Sequence, residues 1–251
     1  MYRFDRTNEA QNKRSVIKPI KSIKQADLLL ACVAIESEST NLQFCLAGLN
    51  QLLIDTMEAS KEIRDLELSE NDDVKSTDSD STLQSEHYHQ NESLSNAPGL
   101  LVKTIEALNA KLKLWGKAAI RNLSTILSAF ELLSALSEYI CEMLPKVLML
   151  EKSREVVRHL CFYIQNSIKR PKVEHKRELH SGIVAAFRCL SKWLHLHDEL
   201  LQDPSFLYYL MEILELGISG SKSRQNNGID INKNNKGTIF RKIYRMLINL
   251  F

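Results

Sequence analysis

Glycine and proline are scarce in this chain, which has eight Gly and five Pro among its 251 residues. A sandwich or barrel with many turns needs more of both, so the composition argues against an all-β fold. The same scarcity argues against a Pro-rich disordered protein. No stretch of useful length alternates apolar and polar residues, so the sequence predicts no β-sheet.

Targeting and membrane segments are also missing from the sequence. No run of 18 uncharged apolar residues occurs, so we expect no transmembrane segment. The N-terminus carries Asp5 and Glu9, and no apolar core follows it, unlike a signal peptide. The cysteines form no CxxC pair and lie in apolar stretches, which predicts buried thiols in a reducing compartment and a cytoplasmic protein. These cysteines are Cys32, Cys45, Cys141, Cys161 and Cys189.

Charge of one sign is not in excess, because 33 Lys and Arg stand against 31 Asp and Glu, for a net charge of +2. Nucleic-acid-binding proteins are usually clearly basic, so we expect no nucleic-acid partner. The C-terminal part is basic: residues 218–245 contain seven Lys or Arg and one acid, Asp230. A solvated helix face explains these charges. An alternative function is that of a helical-repeat trafficking or transport adaptor whose basic terminal helix contacts acidic lipid.

The sequence contains no motif for catalysis or cofactor binding. GISGSKS, at residues 217–223, follows a helix and lacks the spacing of a phosphate-binding loop.

His195 and His197 are two residues apart and point about 200° away from each other on a helix. A polar helix end facing water is therefore a simpler interpretation than a metal site. Cys189 lies among apolar residues, which is typical of core packing and not of a nucleophile. We therefore expect a protein that is not an enzyme and holds no cofactor or metal. His180 is expected to cap or orient a helix start.

Apolar residues recur at helical spacing along most of the chain. The spacing predicts a helical hairpin over residues 21–66 and a series of helices over residues 98–219, with stripes such as Leu101, Ile105 and Leu108. Paired helices recur about every forty residues, and each pair can bury its stripe only against neighbouring pairs. The pattern therefore predicts an all-α fold, a HEAT- or armadillo-like α-solenoid, with a globular helical bundle as the alternative.

Polar segments separate these helical regions. Residues 67–97 are predicted to form a disordered acidic linker, because residues 67–96 carry eight acids against one Lys and almost no apolar residue. Residues 1–20 are predicted to be a flexible N-terminus, and residues 220–237 a polar loop. Residues 238–251 are predicted to form a terminal helix that the chain end cuts short.

Proline, glycine and aspartate mark the expected helix ends. Pro145 is expected to break or kink one helix, and Pro171 to follow the end of the next. Asp203 and Pro204 are predicted to be the N-cap and first residue of a later helix. Gly217 is predicted to be the C-cap of that helix.

Three segments between residues 155 and 223 carry a resemblance to a known family. They are RELHSGIVAAF, CLSKWL and MEILELGISGSKS. Together with the stretch between CLSKWL and MEILELGISGSKS, these segments resemble part of the helical region of the beta subunit of the Ral GTPase-activating protein complex. The family-motif residues, which have no assigned role, are Glu178, Leu179, His180, Ser181, Trp193, Glu215, Leu216, Gly217, Ser219, Gly220 and Lys222.

The resemblance implies a large, mostly helical cytosolic subunit that forms a heterodimer with a catalytic alpha subunit. The family's complex speeds GTP hydrolysis on Ral-type small GTPases, and its alpha subunit is expected to supply an asparagine to the GTPase site. The beta subunit ends in a related domain without that asparagine. This chain stops before any such domain, so no catalytic residue is carried over. We expect a fragment or truncated relative that works as a non-catalytic scaffold through protein–protein contact.

Overall fold

The computed structural model of the protein describes residues 18–71, 97–117 and 122–219. These ranges contain seven α-helices and two short 3-10 helices, at Lys172–Glu174 and Asp198–Gln202, and no strand. The all-α prediction is therefore confirmed. The α-helices are α1 (Lys18–Ile35), α2 (Ser39–Asn71), α3 (Ala97–Lys117), α4 (Leu123–Met143), α5 (Lys146–Ile168), α6 (Arg177–Leu196) and α7 (Pro204–Ser219).

The helices pack in two layers. Helices α1, α3, α5 and α7 form one layer, in which each contacts the next, and α2, α4 and α6 form the other. The layers are joined because α1 packs on α2, α3 on α4 and α5 on α6. Each of these three pairs is therefore packed together, and each helix from α1 to α5 also packs against the helix two places along.

Helices α3 and α5, which are neighbours within one layer, run in the same direction. Lys152 Nζ of α5 lies 3.0 Å from Glu106 Oε1 of α3, a separation of 46 residues along the chain. Further along both helices, Gly116 of α3 lies against the ring of Phe162 of α5. Since both contacts advance together along α3 and α5, the two helices are parallel and have a constant register.

Apolar stripes hold the layers together. The predicted stripe of α3 is confirmed, because Leu101, Ile105, Leu108 and Leu112 are each at most 1% exposed. Burying a leucine side chain contributes roughly 1.5–3 kcal/mol. The buried residues of α3 extend over several of its faces, because α3 contacts α1, α2, α4 and α5.

The observed helix boundaries differ from the predicted ones at three places. Helix α1 begins at Lys18, inside the segment predicted to be flexible, with Pro19 in its first turn, where the absent N–H is not needed. Helix α2 continues to Asn71, so residues 67–71 are helical and not part of the linker. Helix α3 begins at Ala97. The rest of the predicted linker, the polar loop at 220–237 and the terminal helix at 238–251 lie outside the described residues.

Two predicted helix ends are confirmed. Asp203 Oδ1 accepts hydrogen bonds from the backbone N–H groups of Ser205, at 3.0 Å, and Phe206, at 3.4 Å, and α7 begins at Pro204. These bonds satisfy two donors that a helix start leaves free. Pro145 separates α4 from α5, whose first residue is Lys146.

Helix α4 is long and apolar enough to cross a bilayer by length and composition alone. Half of its most apolar stretch is buried inside the protein. It packs on α2, α3 and α6, with Leu133, Leu136 and Ile140 fully buried. This packing explains the composition of α4, and the absence of a transmembrane segment stays a prediction.

Candidate protein-interaction surface

The RELHSG segment forms the first turns of α6. Its side chains divide by exposure: Leu179 is buried, Ser181 is half-buried, and Glu178 and His180 are exposed. No side chain caps this helix start. Instead, the ring of His180 lies edge-on to His175 in the preceding connection, with ring centroids 5.8 Å apart. Core packing accounts for Leu179, whereas the exposed Glu178 and His180 lie outside the core.

The ELGISGSKS segment belongs partly to α7, and the predicted C-cap at Gly217 is wrong. The helix continues past Gly217 to Ser219. A Cβ at position 217 would lie 2.4 Å from Cζ of Phe187, the last residue of RELHSGIVAAF. Glycine is needed here because the α6 ring lies directly against the α7 backbone. Glu215 and Leu216 are half-buried beside it, and Gly220 and Lys222 lie outside the described residues.

Trp193 joins α6 to α4. Its side chain is fully buried, and the indole Nε1–H donates a 3.0 Å hydrogen bond to the carbonyl oxygen of Leu133. The ring also lies 5.2 Å, centroid to centroid, from that of His197. The motif residues Leu179, Trp193 and Gly217 therefore have packing functions that the sequence pattern did not specify.

The end of α6 corrects one interpretation from the sequence. His195 is exposed, but His197 is fully buried and does not face water. Burial lowers the pKa of the His197 imidazole. The Ser137 carbonyl and the Glu199 carboxylate raise this pKa, but by less, so it remains below its usual value. His197 is the residue that follows the last residue of α6, and its ring packs against that of Trp193.

Cys141 lies beside His197 but does not form a nucleophilic pair with it. Its Sγ is 3.9 Å from His197 Nδ1 and 4.0 Å from Nε2. Burial, followed by the nearby carboxylates of Glu199, Glu142 and Glu138, raises the pKa of the Cys141 thiol. A reactive cysteine needs the opposite surroundings, which favour the thiolate.

The prediction that all five cysteines are buried is only partly correct. Cys161 and Cys189 are buried, and burial raises the pKa of each thiol to about 12. Cys32 and Cys45 are half-buried, and Cys141 is exposed. Residue burial depends on which helix face meets a neighbour, and an apolar stretch alone does not reveal it. In the described part of the chain, no group of three His, Cys, Asp or Glu residues could hold a metal ion.

A cleft of about 430 Å³ opens on the layer of α3, α5 and α7. Its floor is aromatic and its rim is mostly basic. The cleft is lined by Lys113 of α3, Arg158, His159 and Phe162 of α5, and Asp203, Ser205, Phe206 and Tyr209 at the start of α7. Sequence inspection missed this site because its residues are spread over about a hundred positions and form no motif.

The chain is similar to Ral GTPase-activating protein subunit beta from three mammals. It is 39% identical to the human protein over 132 residues, which cover 52% of this chain and 8% of the human protein. It is 38% identical to each of the rat and mouse proteins over 135 residues, 53% of this chain and 8% of theirs. The chain thus spans only a small part of the length of these relatives. No family model and no solved structure matches it. The resemblance found in the sequence is confirmed.

Proposed function

We propose that this chain is a non-catalytic helical scaffold of a GTPase-activating complex that acts on Ral-type small GTPases. In this role it contacts a catalytic alpha subunit and reaches the GTPase only indirectly, in the cytoplasm. The observation that carries the proposal is the 38–39% identity to Ral GTPase-activating protein subunit beta over about half of the chain. Surface contact suffices for this role, and none of its steps needs a reactive group on this chain.

We further propose that the two helical layers are a segment of a HEAT- or armadillo-like α-solenoid. Two features support this: the parallel packing of α3 and α5 within one layer, and the 46-residue step between their contacting residues. HEAT and armadillo repeats have a similar length of about 40–47 residues. Solenoids present extended surfaces to partners, which suits a scaffold.

The exposed motif residues Glu178 and His180 are the candidate contacts on α6. Packing explains Leu179, Trp193 and Gly217, whereas the side chains of Glu178 and His180 face solvent. A partner surface would use both residues without disturbing the core. We therefore assign them to the contact with the alpha subunit.

Co-purification of the tagged 251-residue chain with an alpha subunit tests the proposal. We expect a stable complex, and we expect the variant Glu178→Lys/His180→Glu to weaken it by about ten-fold, or 1.4 kcal/mol. Glu131→Lys is the matched control, because Glu131 is exposed on α4, outside the motif. GTP hydrolysis by Ral should not accelerate with this chain alone. A folded chain that binds no alpha subunit, or that accelerates hydrolysis by itself, contradicts the proposal.

A further inference from the structure

The cleft between α3, α5 and α7 has an excess of uncompensated positive charge. No carboxylate in the described ranges lies within ion-pair distance of Lys113 or Arg158, and both side chains are exposed. His159 is half-buried, and its Nδ1 bonds the carbonyl oxygen of Glu155 at 2.9 Å. With Nδ1 as the donor, Nε2 remains available to a ligand.

The single carboxylate of the lining already has partners. Asp203 Oδ1 caps α7 by accepting backbone N–H bonds, and Oδ2 lies 3.7 Å from the guanidinium of Arg154. Asp203 therefore does not neutralise the basic rim. The cleft attracts negative charge, and it holds few groups that could repel an anion.

The floor of the cleft is apolar. Phe206 is buried, Phe162 and Tyr209 are half-buried, and all three line a space of about 430 Å³. Burial raises the pKa of the Tyr209 phenol to about 12, with smaller contributions in the same direction from Cys161 and the nearby carboxylate of Glu212 and an opposing effect of Arg158. The hydroxyl therefore stays protonated and can donate a hydrogen bond. A space of this size accepts a few side chains of a peptide.

We propose that this cleft binds an acidic peptide segment of a partner protein. Carboxylates of the peptide pair with Lys113 and Arg158, and an apolar side chain enters among Phe162, Phe206 and Tyr209. Basic residues beside an apolar floor match that combination, and this complementarity gives specificity as well as attraction. This inference adds a ligand class to the proposed function. It rests on that function in one respect, namely that the ligand is a protein.

Nucleic acid and lipid fit the cleft less well than a peptide. Single-stranded nucleic acid is held by a basic groove that follows several nucleotides and stacks their bases on successive aromatic faces, whereas this cleft is one concave space with two exposed cations, Lys113 and Arg158. An acidic membrane is flat and engages a broad basic surface, whereas the cations here surround a concave site. Both ligands serve as competitors in the test.

Fluorescence anisotropy with the full 251-residue chain tests the inference. The probe is a labelled twelve-residue peptide of Asp and Glu with a central Leu-Phe pair, and its control replaces each acid by Asn or Gln. We expect binding of the acidic peptide alone, with affinity that falls as salt rises. Lys113→Glu/Arg158→Glu should weaken binding by about ten-fold or more.

Arg177→Glu is a control charge reversal, because Arg177 is exposed at the start of α6 and outside the cleft, and it is compared with Lys113→Glu and Arg158→Glu made singly. It should bind as the unchanged chain does, and circular dichroism should show equal helix content in all variants. The proposal is overturned if Arg177→Glu weakens binding as much as the substitutions of Lys113 and Arg158 do. It is also overturned if the acidic peptide and its neutral control bind equally well. Displacement by single-stranded DNA or by phosphatidylserine vesicles, with the same dependence on Lys113 and Arg158, also overturns it.

The chain's own acidic segment is a further competitor. A peptide that copies residues 72–96 and binds more tightly than the probe would assign the cleft to this chain itself and would overturn the assignment to a partner. The assay contains no alpha subunit, so its result is separate from the co-purification test. A failed peptide assay leaves the proposed function standing, and failed co-purification leaves the cleft's ligand chemistry standing.

Discussion

Gly217 of α7 lies directly against the ring of Phe187 of α6. A Cβ at position 217 would be 2.4 Å from Cζ and 2.9 Å from Cε2 of that ring. Two of the three segments that carry the family resemblance therefore meet in space, although these two residues are thirty positions apart. Their contact is one of packing, in which the absence of a side chain makes room for an aromatic ring.

Gly217→Ala should destabilise the protein, because the added methyl group forces Phe187 out of its position. Overpacking of this kind costs about 1–3 kcal/mol, which is more than alanine gains over glycine in helix propensity. Thermal unfolding followed by circular dichroism measures the loss. Adding Phe187→Leu to Gly217→Ala should recover part of the lost stability. If the losses of the two single variants simply add in the double variant, the contact between these residues is not the cause.

Trp193→Phe should also destabilise the protein, because it leaves the buried carbonyl oxygen of Leu133 without the indole donor. The carbonyl keeps its bond from the helix backbone, so the loss is that of one hydrogen bond and of the packing of the larger indole ring, together about 1–3 kcal/mol. Urea unfolding measures the change in free energy. Trp115→Phe is the control, since Trp115 is only half-buried and is the other tryptophan of the chain. A larger loss in the free energy of unfolding for Trp115→Phe than for Trp193→Phe would contradict the importance assigned to Trp193.

Acid should weaken the protein through His197. Burial lowers the pKa of this imidazole in the folded state, so below about pH 6.5 the unfolded chain binds the proton more readily. The free energy of unfolding should therefore fall as the pH decreases from 6.5 towards the lowered folded pKa. Urea titrations at pH 7.5 and 5.5 measure it. His197→Gln should remove part of that fall, whereas His195→Gln, at the exposed neighbour, should retain it. An unchanged pH dependence in His197→Gln would refute the assignment.

Thiol alkylation should distinguish the cysteines by position. Cys141 is exposed and should react with iodoacetamide in the folded protein, increasingly at alkaline pH because its pKa is raised. Cys161 and Cys189 are buried and should react only after unfolding. Mass spectrometry of peptides, with and without urea, locates the label. Equal labelling of all three in the folded protein would contradict the described packing.

The sequence by itself determined the helices. Spacing of three and four between apolar residues such as Leu101 and Ile105 fixes which side of a helix is buried, and Asp203 before Pro204 fixes a helix start, because both depend on residues close together in the chain. The resemblance to the beta subunit was also visible from local segments. None of these features requires knowledge of which helices meet.

Only the tertiary structure decided which residues touch across the layers. It placed Phe187 on Gly217, turned His197 inwards, exposed Cys141, and brought Lys113, Arg158 and Tyr209 from three helices to one cleft. These contacts depend on the register between helices that are tens of residues apart. Such a register is set by the packing of whole side-chain surfaces, and no local pattern in the chain encodes it.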